Sequence, residues 1–105
     1  MKITEAAQCL AELGHETRLR VYRYLVKNGS RGIAVGDIRD ELDIPSSTLS
    51  HHLSRLAKAG LISQERDGRT LYCRTRYEQL QALIDFLVDE CCEGEQCLET
   101  SSGCS

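Results

Sequence analysis

The chain has 105 residues, 41% of them hydrophobic, with no Trp and one Phe. That is room for one compact domain built on Leu, Ile and Val, and too little for two. The formal net charge of −3 excludes a uniformly basic protein, and it is unevenly spread. Residues 1–45 hold seven Lys/Arg and seven Asp/Glu, residues 46–76 hold six against two, and residues 77–105 hold no Lys/Arg and seven Asp/Glu. A basic middle followed by an acidic end predicts two different tasks. The N-terminus, Met1-Lys2-Ile3-Thr4-Glu5, lacks an apolar leader, and no apolar run has the length of a membrane span. The expected location is the cytoplasm, with no membrane partner.

In chain order, Ile3, Ala6, Ala7, Leu10 and Leu13 form the apolar stripe of a first helix over 3–13, closed by Gly14. A second helix is expected from about His15 to Lys27, with Leu19, Tyr22, Leu25 and Val26 inward and Asn28-Gly29 as its stop. Ser30 to Gly32 reads as a loop, and Ile33-Ala34-Val35 as a short extended piece. A third helix covers about Gly36 to Leu42, with Ile38 and Leu42 inward. Asp43-Ile44-Pro45 makes a turn that Pro45 prevents from continuing as helix. Ser46 or Ser47 is expected to cap a fourth helix that runs to Ala59 and ends at Gly60. Residues 61–66 and 69–75 read as two strands, with Asp67-Gly68 as the hairpin signal between them. Leu80, Leu83, Ile84, Leu87, Val88 and Cys91 give a last amphipathic helix. Beyond Glu93-Gly94 no periodicity remains, so the predicted division is a domain over 1–92 and a flexible acidic tail over 93–105. The fold class is mainly α with a small β-hairpin, in the order α-α-β-α-α-β-β-α. Two short helices joined by a tight turn, then a hairpin, make a helix-turn-helix with a wing.

The fourth helix carries the strongest functional signal. At about 100° per residue, Leu49, Leu53 and Leu56 fall within about 60° of one another and define its buried side. Ser47, His51, Ser54, Arg55 and Lys58 point away from that side, with Thr48 and Ser50 on the flanks. Small hydroxyls near a helix N-terminus allow close entry into a major groove, and Arg55 and Lys58 suit phosphates. Any surface helix has a polar face; what distinguishes this one is the adjoining turn, the hairpin and the local basic excess. His51 faces outward as a DNA contact, whereas His52 sits at the edge of the core as a structural residue. Neighbouring helix positions diverge by about 100°, so the two histidines are not expected to share an ion. In the wing, Arg66 and Arg69 flank the tip and fit a minor groove or its phosphates, although each could equally be a solvated turn residue.

Leu13 through Arg20 (LGHETRLR), Ser46 through Leu61 (SSTLSHHLSRLAKAGL) and Asp67 through Tyr72 (DGRTLY) resemble the ArsR/SmtB family of metal-responsive repressors. The resemblance covers about residues 3–92. It implies a winged-helix homodimer, with the first and last helices at the dimer interface, bound to an inverted-repeat operator until a toxic ion releases it. It also implies that Ser46, Ser47, Ser50 and His51 approach bases and phosphates. Family members that sense arsenic through the third helix carry Cys-Val-Cys there; Ala34 and Gly36 around Val35 rule that site out of this chain. Zinc sensors use His and carboxylates on the last helix, and this one has Asp85, Asp89 and Glu90 without His. A third arrangement in the family, a vicinal cysteine pair with a nearby third cysteine at the end of the last helix, is similar to Cys91-Cys92 with Cys97.

The donor chemistry agrees with that resemblance. Of six cysteines, four (Cys91, Cys92, Cys97 and Cys104) crowd the last fifteen residues, which would make a poor disulfide framework and suits reduced thiols. Soft thiolates select thiophilic ions. Trivalent arsenic or antimony takes three sulfurs in a pyramid, a demand that Cys91, Cys92 and Cys97 meet. Zn(II) prefers four donors, for which Cys104 could be the fourth. Adjacent cysteines on an intact helix point apart, so gripping one ion would distort the helix end. The expected inducer is arsenite or antimonite, with methylated trivalent arsenic also open, and Cys9 could join the site. Cys91 alone could be a buried small hydrophobe. A thiol-based redox regulator is the alternative reading. A small metal-carrying protein would leave the helix-turn-helix unexplained. A thiol enzyme of the arsenate-reductase kind commonly has a Cys followed six residues later by Arg, an arrangement that is missing here, so no enzyme is expected.

Overall fold

Helix α1 spans Ile3–Leu13 and α2 spans Glu16–Lys27, with Gly14 and His15 between them. Residues 1–28 and 31–89 are described by this computed structural model. Strand β1 (Ile33–Ala34) leads into α3 (Val35–Leu42), then α4 (Ser46–Lys58), β2 (Ile62–Asp67), β3 (Thr70–Thr75) and α5 (Tyr77–Val88). The element order is the one the sequence predicts. Cys91, Cys92, Cys97 and Cys104, and the division at residue 92, lie outside the described residues.

The three strands form one antiparallel sheet in the order β1-β3-β2. Ile33 pairs with Cys73, and Ile62 with Thr75. Val35, expected to be extended, is instead the first residue of α3. Asp67 pairs with Thr70, so the hairpin loop is Gly68-Arg69 rather than Asp67-Gly68. Gly68 takes φ +65°, and Arg69 is not among the positive-φ residues. That combination suits a II′ turn with glycine first, whereas a I′ turn would need both residues at positive φ.

The core is aliphatic. Val21, Leu25, Ile38, Leu49, Leu53, Leu56 and Leu61 are fully enclosed, joined by Ala6, Cys9, Ile62, Cys73 and Leu83. It sits where α2 and α4 meet and is roofed by α1 and the sheet. Asp43 ends α3 in the left-handed conformation, φ 53°, which Asp tolerates better than most residues. Pro45 then starts α4 from an extended geometry (φ −57°, ψ 144°). Pro45 thus occupies the cap position, Ser46 is the first helical residue, and no side chain caps the helix. The expected serine cap is corrected on this point, because the chain turns into the helix one residue earlier. Asn28 closes α2 as foreseen, its side-chain amide donating to the Tyr24 carbonyl at 2.7 Å.

The stripes of α1, α2 and α5 are only partly buried. Ile3, Leu10, Leu19, Ile84 and Leu87 remain 40–72% exposed. Leu19 was expected inward; Val21 takes that place, fully buried. A single chain of this size covers one side of α1 and α5 and leaves the other apolar.

Candidate nucleic-acid interface

Helix α4 has two contrasting sides. Leu49, His52, Leu53 and Leu56 face the core, while Ser46, Ser47, Thr48, Ser50, His51, Ser54, Arg55 and Lys58 are exposed. The polar, basic side predicted from helical spacing is therefore open to solvent along its whole length. Without a side-chain cap, the first N–H groups of α4 have no intrahelical partner, and they add to the attraction for anions at that end. Arg39 of α3 lies against the same end, with Nη1 3.4 Å from the Ser46 hydroxyl. Spacing within α4 could not reveal Arg39, because it arrives from the preceding helix across the turn.

The wing carries Arg66 on β2, opposite Leu71, and Arg69 within the two-residue tip. Both are exposed. Nothing within 4 Å would meet a Cβ built on Gly68, so the tip projects freely.

Behind the open side lies a buried polar network that the sequence reading missed. Glu12 of α1 and Arg18 of α2 are 8% and 7% exposed, and they pair at 2.7 Å. Arg18 also donates through Nη1 to the Glu12 carbonyl and through Nε to Nδ1 of His52. Glu12 receives Arg55 as well, at 3.0 Å. The hydrogen bond from Arg55, opposed by burial and aided by the charges of Arg55, Arg18 and His51, holds the Glu12 carboxyl below the ordinary carboxylate range. His52 is buried, as expected for a structural histidine. Its ring lies 4.8 Å from that of His15 and 5.8 Å from that of His51. Because Nδ1 accepts from Arg18, His52 is neutral and carries its proton on Nε2. Burial first, then the charges of Arg18, His15 and His51, push its pKa below the ordinary 6.5. Among the described residues no group of three His, Cys, Asp or Glu could hold a metal ion.

This network gives stability a pH dependence. Below the ordinary imidazole value the unfolded chain takes up a proton that folded His52 resists. The contribution of His52 is therefore fully present above about pH 6.5 and declines as pH falls toward the folded-state value. The urea midpoint is expected to drop between about pH 7.5 and about pH 5.5, and the drop should shrink in His52→Asn, which keeps an acceptor for Arg18 but does not titrate. An equal drop in both proteins would assign the effect to other groups.

The arrangement matches known proteins. A model of a helix-turn-helix domain matches residues 13–65. An uncharacterized HTH-type transcriptional regulator of Methanocaldococcus jannaschii is 36% identical over 89 residues, covering 85% of this chain and 97% of that protein. A putative arsenical resistance operon repressor, ArsR2 of Halobacterium salinarum, is 30% identical over 82 residues, covering 78% of this chain and 67% of its own length. Among solved structures, the homodimeric winged helix-turn-helix DNA-binding domain of Mb0332 from Mycobacterium bovis superposes with a TM-score of 0.67 at 23% identity, covering 91% of this chain and 89% of that one. With the exposed polar side of α4, the projecting wing and these relatives together, the chain belongs to the ArsR/SmtB family of winged-helix, DNA-binding transcription regulators.

Proposed function

We propose that the chain is a homodimeric repressor that binds an inverted-repeat operator and is released when trivalent arsenic or antimony binds Cys91, Cys92 and Cys97. The observation that carries the DNA half of this reading is the open side of α4. Ser46, Ser47, Ser50 and His51 stand at its N-terminal half and Lys58 at its C-terminal end, all exposed. Lodged in a major groove, the hydroxyls and His51 meet base edges, while Lys58 and the wing residues Arg66 and Arg69 meet phosphates. One such helix per chain reads one half-site. Two protomers joined through the exposed apolar sides of α1 and α5 set the half-sites about one helical turn (~34 Å) apart. The homodimeric relative of similar fold supports that assembly.

The inducer half rests on the donor set and on the resemblance to arsenical repressors. Cys91, Cys92 and Cys97 follow α5 closely in sequence. Three soft thiolates match the three-coordinate demand of trivalent arsenic and antimony. Their place just after a helix with an exposed apolar side couples ligand to assembly. An ion that favours the thiol-gathered form over the DNA-bound form by the usual 1–3 kcal/mol or so lowers operator affinity by roughly 5- to 150-fold.

The salt dependence of binding tests the DNA reading. Lys58→Ala should weaken binding to all duplexes and reduce the slope of log affinity against log salt by about one. Arg55→Ala should change the slope less, since Glu12 holds the Arg55 side chain and offsets part of its charge. Ser47→Ala or His51→Ala should alter which sequences are preferred. If none of these four changes affects DNA binding, α4 is not the reading helix.

A further inference from the structure

Arg55 is not the free surface cation that the spacing of α4 suggests. Its Nε and Nη2 donate to Oε1 and Oε2 of Glu12 at 3.0 and 3.2 Å, across 43 residues of sequence. The Glu12 side chain is 11% exposed, while that of Arg55 remains 48% exposed. Arg18 donates to Oε1 of the same carboxylate and reaches His52 on α4. The contacts thus leave α4 at His52, cross α2 and α1, and return to α4 at Arg55.

A fork-to-fork pair occupies two of the five guanidinium N–H groups. Three remain on Arg55, two on Nη1 and one on Nη2. A long side chain loses rotamer freedom when it closes on a phosphate or base, and one already held does not. The carboxylate is shared with Arg18, so the trio keeps a net positive charge and Glu12 offsets the Arg55 charge only in part. What remains is a fixed directional donor rather than a mobile point charge. A fixed donor fits one placement of the duplex, whereas a loose cation accepts any nearby phosphate.

We propose that Glu12 is a positioning residue for DNA reading: through Arg55 it fixes the register in which α4 meets the duplex, and so raises the preference of the chain for its own site over other DNA. The role rests on the assignment of α4 as the reading helix.

The test uses the full chain, a duplex selected by the wild-type protein from a random pool, and a scrambled duplex of the same length. Glu12→Gln removes a negative charge, so affinity for scrambled DNA should hold or rise, while preference for the selected duplex falls about tenfold. In an Arg55→Ala background, Glu12→Gln should change the preference no further. Arg55→Lys keeps the charge at an exposed position but loses the fork, and it should lose the same preference even if Glu12→Gln proves too unstable to purify. A purely structural Glu12 would weaken binding to both duplexes in equal proportion. That result, or wild-type preference in Arg55→Lys, overturns the proposal. If the wild-type chain enriches no duplex, the DNA-reading role fails and the proposal with it. Enrichment by the wild type with unaltered preference in Glu12→Gln overturns the role of Glu12 alone.

Discussion

Replacing Cys97 by Ser should leave operator binding intact and raise the arsenite concentration needed for release by about a hundredfold. Serine keeps the size of cysteine but loses the soft, ionisable sulfur. Two thiolates then face an ion that takes three. Cys91→Ser and Cys92→Ser should behave alike, and Cys104→Ser should matter less, because three sulfurs already satisfy the ion. Operator binding is spared because the basic surface lies within residues 46–76, away from these positions in sequence. Methylated arsenite, with one fewer open position, should tolerate loss of Cys97 better than arsenite does. The check is an arsenite titration of each DNA-bound variant followed by fluorescence anisotropy. Release of the Cys97 variant at the wild-type concentration removes Cys97 from the site. Normal release in all three variants moves the site elsewhere, with Cys9 and Cys73 the next to test.

The second large effect concerns assembly. Ile84 and Leu87 of α5 are 46% and 55% exposed, and Ile3 and Leu10 of α1 are 72% and 43% exposed. An apolar side of this kind, on helices whose other side is already packed, is suited to an isologous contact with a second copy. Glutamates at both Ile84 and Leu87 should convert the dimer to a monomer while changing the stability of the single chain little, since both sites already face water. Operator affinity should fall about a hundredfold or more, because the second half-site no longer binds as an intramolecular event. Light scattering and DNA titration of the same preparation check both effects. A variant that stays dimeric with unaltered affinity would place the interface on another surface.

Much of this was legible in the sequence because the signals are local. The stripe of Leu49, Leu53 and Leu56 defines the inner side of α4 and, by exclusion, the outer one. Pro45 and Gly60 bound that helix, and a glycine beside charged residues marks the hairpin. The errors arise where local signals compete. Serine favours a helix cap, but the extended geometry of Pro45 takes the position first. Asp67-Gly68 reads as a turn pair, yet the register continues one residue further and moves the tip to Gly68-Arg69. An apolar stripe also does not say what will cover it, so Leu19 reads as inward although the single chain leaves it exposed. The Glu12–Arg18–His52–Arg55 network was out of reach for a different reason. Its partners lie up to 43 residues apart, and charged residues at helical positions look the same whether paired or solvated. One hint was present: Arg18 falls three residues before Val21 and four before Tyr22, on the side of α2 that enters the core.

The account is tested most directly by anisotropy of a labelled, selected duplex bound to the reduced wild-type chain, with thiophilic ions then added one at a time. It predicts dimeric, strongly salt-dependent binding that arsenite or antimonite reverses at about one ion per chain, with zinc far less effective and release undone by excess dithiol. A complex that ignores arsenite and antimonite but dissociates on thiol oxidation would contradict the inducer and favour redox control. A chain that binds no duplex would contradict the account as a whole.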